Sequence, residues 1–125
     1  MRFKPGNILL VRFPRADLQK GKYMPVLLLS KMPGPFDDWL ICAITSQLRH
    51  EVKEWDERIE KTDDDFKSSG LKVPSLIRIG KLATVEKEVL EGMLGKVSLD
   101  RLNRILKRLR DHFSSINLIE DRTWK

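Results

Sequence analysis

Prolines and glycines divide the sequence into short apolar runs, and this spacing restricts the fold more than any other feature. The first run ends where Pro14 would deny a strand its amide, and the second follows Pro25. Runs of this length, rich in Leu, Ile and Val, are typical of β-strands. They predict strands at residues 7–13, 26–30, 39–46, 75–79 and 81–85. The second and third runs do not alternate cleanly, so we expect strands covered on both sides, as in a small closed barrel.

A different period near the end of the chain predicts one amphipathic α-helix. Ser98 is a good N-cap residue. An apolar stripe follows at helical spacing, formed by Leu99, Leu102, Ile105, Leu106, Leu109 and Phe113. The opposite face carries Arg101, Arg104, Lys107, Arg108 and Arg110. We expect this helix to pack on the barrel and to show positive charge to solvent.

The connections between the predicted strands differ in character. Residues 14–24 are polar, contain Gly21 and predict a loop of about eleven residues. Residues 51–66 have no sustained period and predict an extended surface loop, with one short strand near 55–59. Gly80 indicates a bulge or a close backbone approach, so residues 75–85 form either a strand pair or one kinked strand.

Charge is segregated along these 125 residues, which are about one domain in length, taken as 1–125. Residues 51–66 hold eight acidic and three basic side chains, a net charge of −5. Because the whole chain carries +6, the other residues together carry +11. Such a basic remainder favours a nucleic-acid or other anionic partner. The single cysteine, Cys42, lies in an apolar run and is read as core. With no spanning or signal-like segment, the expected location is the cytoplasm.

Few residue patterns for chemistry are present. His50 and His112 are far apart and lack a second ligand at metal-binding spacing, so no metal site is expected. Dinucleotide, Walker and nucleophile-elbow motifs are absent from the sequence, and no cofactor is expected. Polar groups suited to a phosphate remain at two predicted strands: Thr45, Ser46, Gln47 and Arg49 on one, Arg78 and Lys81 on the other.

The order of these motifs resembles the PemK/MazF toxin family as far as about His112. The matching pieces are Gly6-Asn7 through Phe13-Pro14, GKYMPVLLLS at 21–30, Ile44-Thr45-Ser46-Gln47, Gly70-Leu71-Lys72-Val73-Pro74-Ser75, Arg78 with Lys81-Leu82-Ala83-Thr84, and a glycine at Gly95 before the closing helix. The resemblance implies an SH3-like β-barrel with a C-terminal helix. It also implies a homodimer that cleaves single-stranded RNA without a metal and is neutralised by an acidic antitoxin protein.

The resemblance also implies roles for particular residues. Thr45 and Arg78 match catalytic positions, and we expect them to converge on one anion-binding pocket beside the loop at 14–24, with the acidic segment looping outward. The expected substrate-binding residues are Arg15, Lys20, Lys22, Ser46, Gln47, Arg49 and Lys81. Met24 replaces an expected arginine and Gly80 an expected aspartate, and neither transfers protons. A catalytically silent relative that binds nucleic acid or a protein through the same groove therefore stays open as an alternative.

Overall fold

The computed structural model describes residues 2–12 and 23–116. Its strands are β1 Asn7–Arg12, β2 Tyr23–Lys31, β3 Asp38–Thr45, β4 Glu57–Ile59, β5 Ser75–Glu86 and β6 Leu90–Lys96. Helix α1 spans Phe66–Ser69 and helix α2 spans Leu99–Ser114, with single 3-10 turns at Leu48–His50 and Lys87–Val89. The strands pair in the order β4-β5-β3-β2-β1-β6, and every pair is antiparallel. A mainly β fold with a C-terminal helix is confirmed.

Both faces of the sheet are covered, which explains the unbroken apolar runs. On one face, α2 inserts Leu102, Ile105 and Leu109 into a cluster that includes Ile8, Leu27, Leu29, Cys42, Ile44, Ile77 and Ile79. On the other face lies a second cluster of Leu9, Val11, Val26, Leu28, Trp39, Ile41 and Leu90. Cys42 is fully buried, and burial, helped by the charge of Asp56, raises the pKa of its thiol to about 12. Its predicted place in the core is confirmed.

The segment after β4 returns to β6, so the two ends of the strand order are brought together. A Cβ added to Gly95 would lie 2.0 Å from the carbonyl oxygen of Ser68, and one added to Gly70 would lie 2.2 Å from that of Leu94. Backbones this close exclude any side chain at either position. Ser68 Oγ also donates to the carbonyl of Lys96 at 3.2 Å. Helix α1 is therefore fastened directly to β6.

Several strand limits differ from the prediction for local reasons. Strand β2 begins at Tyr23, two residues inside the predicted loop, and includes Pro25 opposite Leu10. Strand β5 is one kinked strand and not a pair. Strand β6 was not predicted, because Gly92 and Gly95 give it low strand propensity. Outside the described residues lie Phe13 and the loop positions 14–22.

The prediction that α2 shows its positive face to solvent is wrong for Arg101, whose side chain is only 6% exposed, and holds only in part for Arg108, whose side chain is 28% exposed. Arg104 is 50% exposed but also contacts the acidic segment. The apolar stripe is likewise divided, because Leu99 and Phe113 are 74% and 60% exposed. Helix α2 therefore lies rotated relative to the prediction, with its arginines turned toward the acidic segment.

The acidic segment does not loop outward as a whole, because three of its carboxylates pair with those arginines. Arg101 donates from Nε to Asp65 Oδ2 at 2.8 Å, from Nη1 to Glu57 Oε1 at 2.9 Å and from Nη2 to Asp63 Oδ2 at 3.1 Å. Arg104 and Arg108 each reach Glu57, at 3.0 and 2.8 Å. We call these six residues the ion-pair cluster: Arg101, Arg104, Arg108, Glu57, Asp63 and Asp65. Buried charges persist only when paired in this way.

No helix in the part of the chain that the structure describes is long and apolar enough to cross a membrane.

Candidate active site

Thr45 ends β3 and organises the turn that follows it. Its Oγ1 accepts a hydrogen bond from the amide of Gln47 at 3.1 Å, and Gln47 Oε1 in turn accepts from Arg49 Nη1. Ser46, Gln47 and Arg49 are all exposed. A threonine hydroxyl that accepts one bond can still donate its own hydrogen. The turn therefore presents a hydroxyl, an amide and a guanidinium to solvent at one end of the sheet.

A cavity of about 530 Å³ opens beside this turn. Apolar side chains dominate its wall, and Thr45, Ser46, Ser75 and Lys72 add hydroxyl and ammonium groups. The residues lining it are Leu10, Tyr23, Met24, Pro25, Ile44, Thr45, Ser46, Gly70, Leu71, Lys72, Val73, Ser75 and Leu94. The Arg12 guanidinium lies over the Tyr23 ring, 5.3 Å from its centroid. The size and lining suit one nucleotide, with apolar surface for a base and donors for a phosphate.

The wall of this cavity at residues 70–73 follows α1 directly. Gly70 has a φ of 76°, a left-handed conformation that ends α1 and that glycine adopts without strain. The close approaches of Gly70 to Leu94 and of Gly95 to Ser68 fix the position of this segment against β6. The glycines of the matching motifs thus shape the cavity.

Arg78 lies on β5 and shares a sheet face with Thr45. It is paired with Ala43, two residues before Thr45, and residues two apart on a strand point the same way. Arg78 is half-buried, and within residues 2–12 and 23–116 no carboxylate forms an ion pair with it. It does not line the cavity that contains Thr45. Convergence of the two residues on one anion-binding pocket stays a prediction.

Met24 and Gly80, which replace an expected arginine and an expected aspartate, have different surroundings. Met24 lines the cavity, and continuing the β2–β3 register from Val26–Ala43 by two residues brings it opposite Thr45. A Cβ on Gly80 would lie 3.1 Å from Nε1 of Trp55. Position 24 therefore has room for a longer polar side chain at the site, whereas position 80 is covered by an indole.

Of the other predicted site residues that the structure describes, Gln47, Arg49 and Lys81 do not line the cavity. Lys81 is exposed beside Gly80 on β5. Arg15, Lys20 and Lys22 lie outside the described residues, so their predicted role in substrate binding stays a prediction. Among the residues whose placement is described, no group of three or more His, Cys, Asp or Glu side chains is arranged to hold a metal ion.

Sequence reasoning missed three features of this region. Tyr23, which lies in the predicted loop at 14–24, and Lys72, to which the motifs assign no role, both line the cavity. Asp56, within the predicted surface loop at 51–66, is buried, with a relative exposure of 6%. The acidic segment lay far from Arg78 in sequence, and only the strand pairing of β4 with β5 brings them together.

An antiparallel sheet with α1 fastened to β6 and α2 packed on one face, and with a hydroxyl-bearing turn beside a cavity, defines a small, mainly β protein. Comparison with known families then places it: the family of PemK-like, MazF-like toxins of type II toxin-antitoxin systems matches residues 4–113. The chain belongs to this family, and the resemblance stated from its motifs is confirmed. No curated protein matches the sequence.

Solved structures agree on the fold. The Mycobacterium tuberculosis toxin MazF-mt6 superposes with a TM-score of 0.62 at 17% identity, covering 86% of this chain and 96% of that one. An endoribonuclease in complex with its cognate antitoxin, from a mycobacterial species, superposes with a TM-score of 0.59 at 14% identity, covering 88% and 91%. At these identities the likeness is one of fold.

Proposed function

We propose that this chain is the toxin of a toxin-antitoxin pair and that it cleaves single-stranded RNA at the Thr45 edge of the sheet. The observation that carries the proposal is the cavity beside Thr45, together with Arg78 on the same sheet face, where none of the described carboxylates forms an ion pair with it. A hydroxyl donor and an unneutralised guanidinium are the groups that a phosphodiester requires. Membership of the toxin family supports the same reading.

The proposed reaction is an internal transfer within the RNA. The 2′-oxygen attacks phosphorus, its proton leaves, the bond from phosphorus to the 5′-oxygen breaks, and that oxygen takes up a proton. The products are a cyclic phosphate and a 5′-hydroxyl. Thr45 donates a hydrogen bond to a phosphate oxygen and Arg78 stabilises the charge that develops. Because Met24 and Gly80 transfer no protons, both proton transfers are assigned to water.

The proposed partners follow from family membership and from exposed surface. An acidic antitoxin is proposed as the inhibitor, in the cytoplasm, and a solved relative is itself an endoribonuclease bound to its cognate antitoxin. A homodimer is proposed because Leu99, Leu106 and Phe113 leave an exposed apolar stripe at seven-residue spacing on α2. Light scattering at micromolar concentration that gave a monomer would contradict the dimer.

Incubation of the purified chain with a long RNA in EDTA tests the cleavage itself. We expect discrete fragments with cyclic phosphate and 5′-hydroxyl ends, and much slower cutting by Arg78→Ala. Intact RNA that the protein nevertheless binds would support the alternative, a silent relative that only binds nucleic acid. If the protein neither bound nor cut the RNA, that result would contradict both the cleavage proposal and the alternative.

Restoring the missing arginine sharpens this test. Met24 is 36% exposed and lines the cavity, so Met24→Arg places a guanidinium beside Thr45 and is expected to raise the cleavage rate. Met93→Arg is the matched control, because Met93 is 39% exposed but does not line the cavity. Equal rates for the two variants would mean that position 24 is not part of the reacting site.

A further inference from the structure

Strand β5 is distorted immediately after Arg78. Cys42 of β3 pairs with Leu82, but the next residue, Ala43, pairs with Arg78. Residues 79–81 therefore have no counterpart on β3, and the strand bulges there. An amide in such a bulge loses its ladder acceptor, and a buried one needs another. The bulge sets the direction in which the backbone leaves Arg78.

Asp56 supplies the missing acceptor. Its Oδ1 accepts from the amide of Ile79 at 3.1 Å, and its Oδ2 accepts from the amide of Val52 at 2.9 Å. Ile79 is fully buried, so water does not compete for this amide. One carboxylate thus joins the start of the bulge to the turn that precedes β4. Charge-assisted bonds of this kind are stronger than those between neutral groups.

The turn that carries Asp56 is itself held in place from two directions. Trp55 lies over Gly80, within the bulge, and its ring centroid is 5.3 Å from that of His112 on α2. Arg108 Nη1 donates to the carbonyl oxygens of Trp55 and Asp56 at 3.0 and 3.1 Å. Asp56 therefore has little freedom to move away from Ile79.

We propose that Asp56 is a positioning residue for Arg78, holding the bulge at 79–81 so that the guanidinium is presented on the Thr45 face of the sheet. Asp56 does not touch the substrate. It acts through the amide of Ile79, the residue next to Arg78. The proposal rests on the proposed role of Arg78 in RNA cleavage and names a further residue of that site.

The test compares Asp56→Asn and Asp56→Ala with Asp64→Asn, an exposed acid of the same segment. Asparagine keeps one acceptor oxygen but loses the second, and alanine loses both. We expect faster hydrogen exchange at the Ile79 amide and a fall in the cleavage rate of about tenfold in Asp56→Ala. Asp56→Asn should lie between it and the wild type, and Asp64→Asn should change neither. All cleavage rates are measured at a temperature well below the thermal unfolding midpoint of each variant.

A double-mutant cycle separates positioning from a general structural role. If Asp56 acts through Arg78, Asp56→Ala combined with Arg78→Ala should cut RNA no more slowly than Arg78→Ala alone. Losses that multiply would overturn the proposal, as would an unchanged rate in Asp56→Ala despite fast exchange at Ile79.

An NMR measurement on the Arg78 side chain tests the positioning role of Asp56 independently of RNA cleavage. The side-chain Nε–H resonance of Arg78 in NMR spectra should shift in Asp56→Ala and Asp56→Asn but not in Asp64→Asn. If the wild type cuts no RNA, or Arg78→Ala cuts normally, the proposed function fails while this measurement still decides the positioning. An Arg78 resonance that is unchanged in all three variants would overturn it.

Discussion

Arginines in two regions of the molecule have opposite surroundings. Arg101, in the ion-pair cluster, is 6% exposed and donates to the carboxylates of Glu57, Asp63 and Asp65. Arg78, at the Thr45 edge, is half-buried and forms no ion pair within residues 2–12 and 23–116. Paired charges contribute to the fold, and only unneutralised ones remain to attract a phosphate. Net charge outside the acidic segment therefore overstates the positive surface offered to RNA.

The cluster is complete in its hydrogen bonding. Arg101 uses Nε, Nη1 and Nη2 on three carboxylates and also donates from Nη1 to the carbonyl of Arg58 at 3.0 Å. In the described residues, every buried side-chain nitrogen and oxygen has a hydrogen-bond partner. Such a network tolerates the loss of a member poorly, because the remaining charges stay buried without compensation.

The largest predicted effect is therefore on stability, at Arg101. Arg101→Ala leaves Asp65 buried without the cation it pairs with and leaves Glu57 with only Arg104 and Arg108, so it should lower the free energy of unfolding by about 3–5 kcal/mol. Urea unfolding followed by circular dichroism measures this loss. Arg110→Ala is the control, because the Arg110 side chain is 68% exposed and should change stability by less than about 0.5 kcal/mol. Similar losses in both variants would remove the contrast between buried and exposed arginines.

Acid should weaken the same cluster through Asp65. Burial alone would raise the pKa of Asp65, but hydrogen bonds from Arg101 and the Ser98 amide outweigh it and lower the pKa below its ordinary value of 3.8. A carboxylate with a lowered folded pKa adds stability above its unfolded pKa, and this stability is lost as pH falls through the folded value. Unfolding free energy should therefore fall below about pH 4, by less than in Arg101→Ala. Asp65→Asn should flatten this fall, and an unchanged pH profile would contradict the assignment.

Local patterns predicted the strands and the final helix well, but pairing across the fold could not be read from them. The apolar runs and the N-cap at Ser98 specify β1, β2, β3 and α2 through short-range periodicity. The partners of Arg101 lie in residues 57–65, more than 30 positions away, so a helix face rich in arginine looked like a solvated face. Motif resemblance assigned Thr45 and Arg78 to the site, and their catalytic roles stay predictions. The role of Asp56 as a hydrogen-bond acceptor depends on the bulge at 79–81. The extent of that bulge follows from the pairing of β3 with β5, which no local pattern indicates.

At the Thr45 edge, the next largest effect should be on RNA and not on stability. Arg78→Ala should weaken RNA binding or transition-state stabilisation by about 1.5–3 kcal/mol, the value of a charge-assisted hydrogen bond. Its unfolding free energy should change little, since no described carboxylate is left unpaired. Filter binding and cleavage rates, measured beside Arg110→Ala, check this expectation. Equal losses of RNA binding in the two variants would mean that Arg78 acts only as one of many surface cations.

A modest loss of stability is predicted at Thr45, where one hydroxyl has both a structural and a proposed chemical role. Thr45→Val keeps the shape but removes the acceptor for the Gln47 amide, which is exposed and can turn to water, so the loss should be about 0.5–1 kcal/mol. Thr45→Ser keeps the oxygen and should hold both the turn and the cleavage rate. Because valine cannot donate to a phosphate, its cleavage rate should fall much more than its stability. Chemical unfolding and RNA cleavage measured on the same preparations separate the two roles. If Thr45→Val destabilised the protein as much as Arg101→Ala, or cut RNA as fast as Thr45→Ser, this edge would be a structural turn and the contrast with the ion-pair cluster would fail.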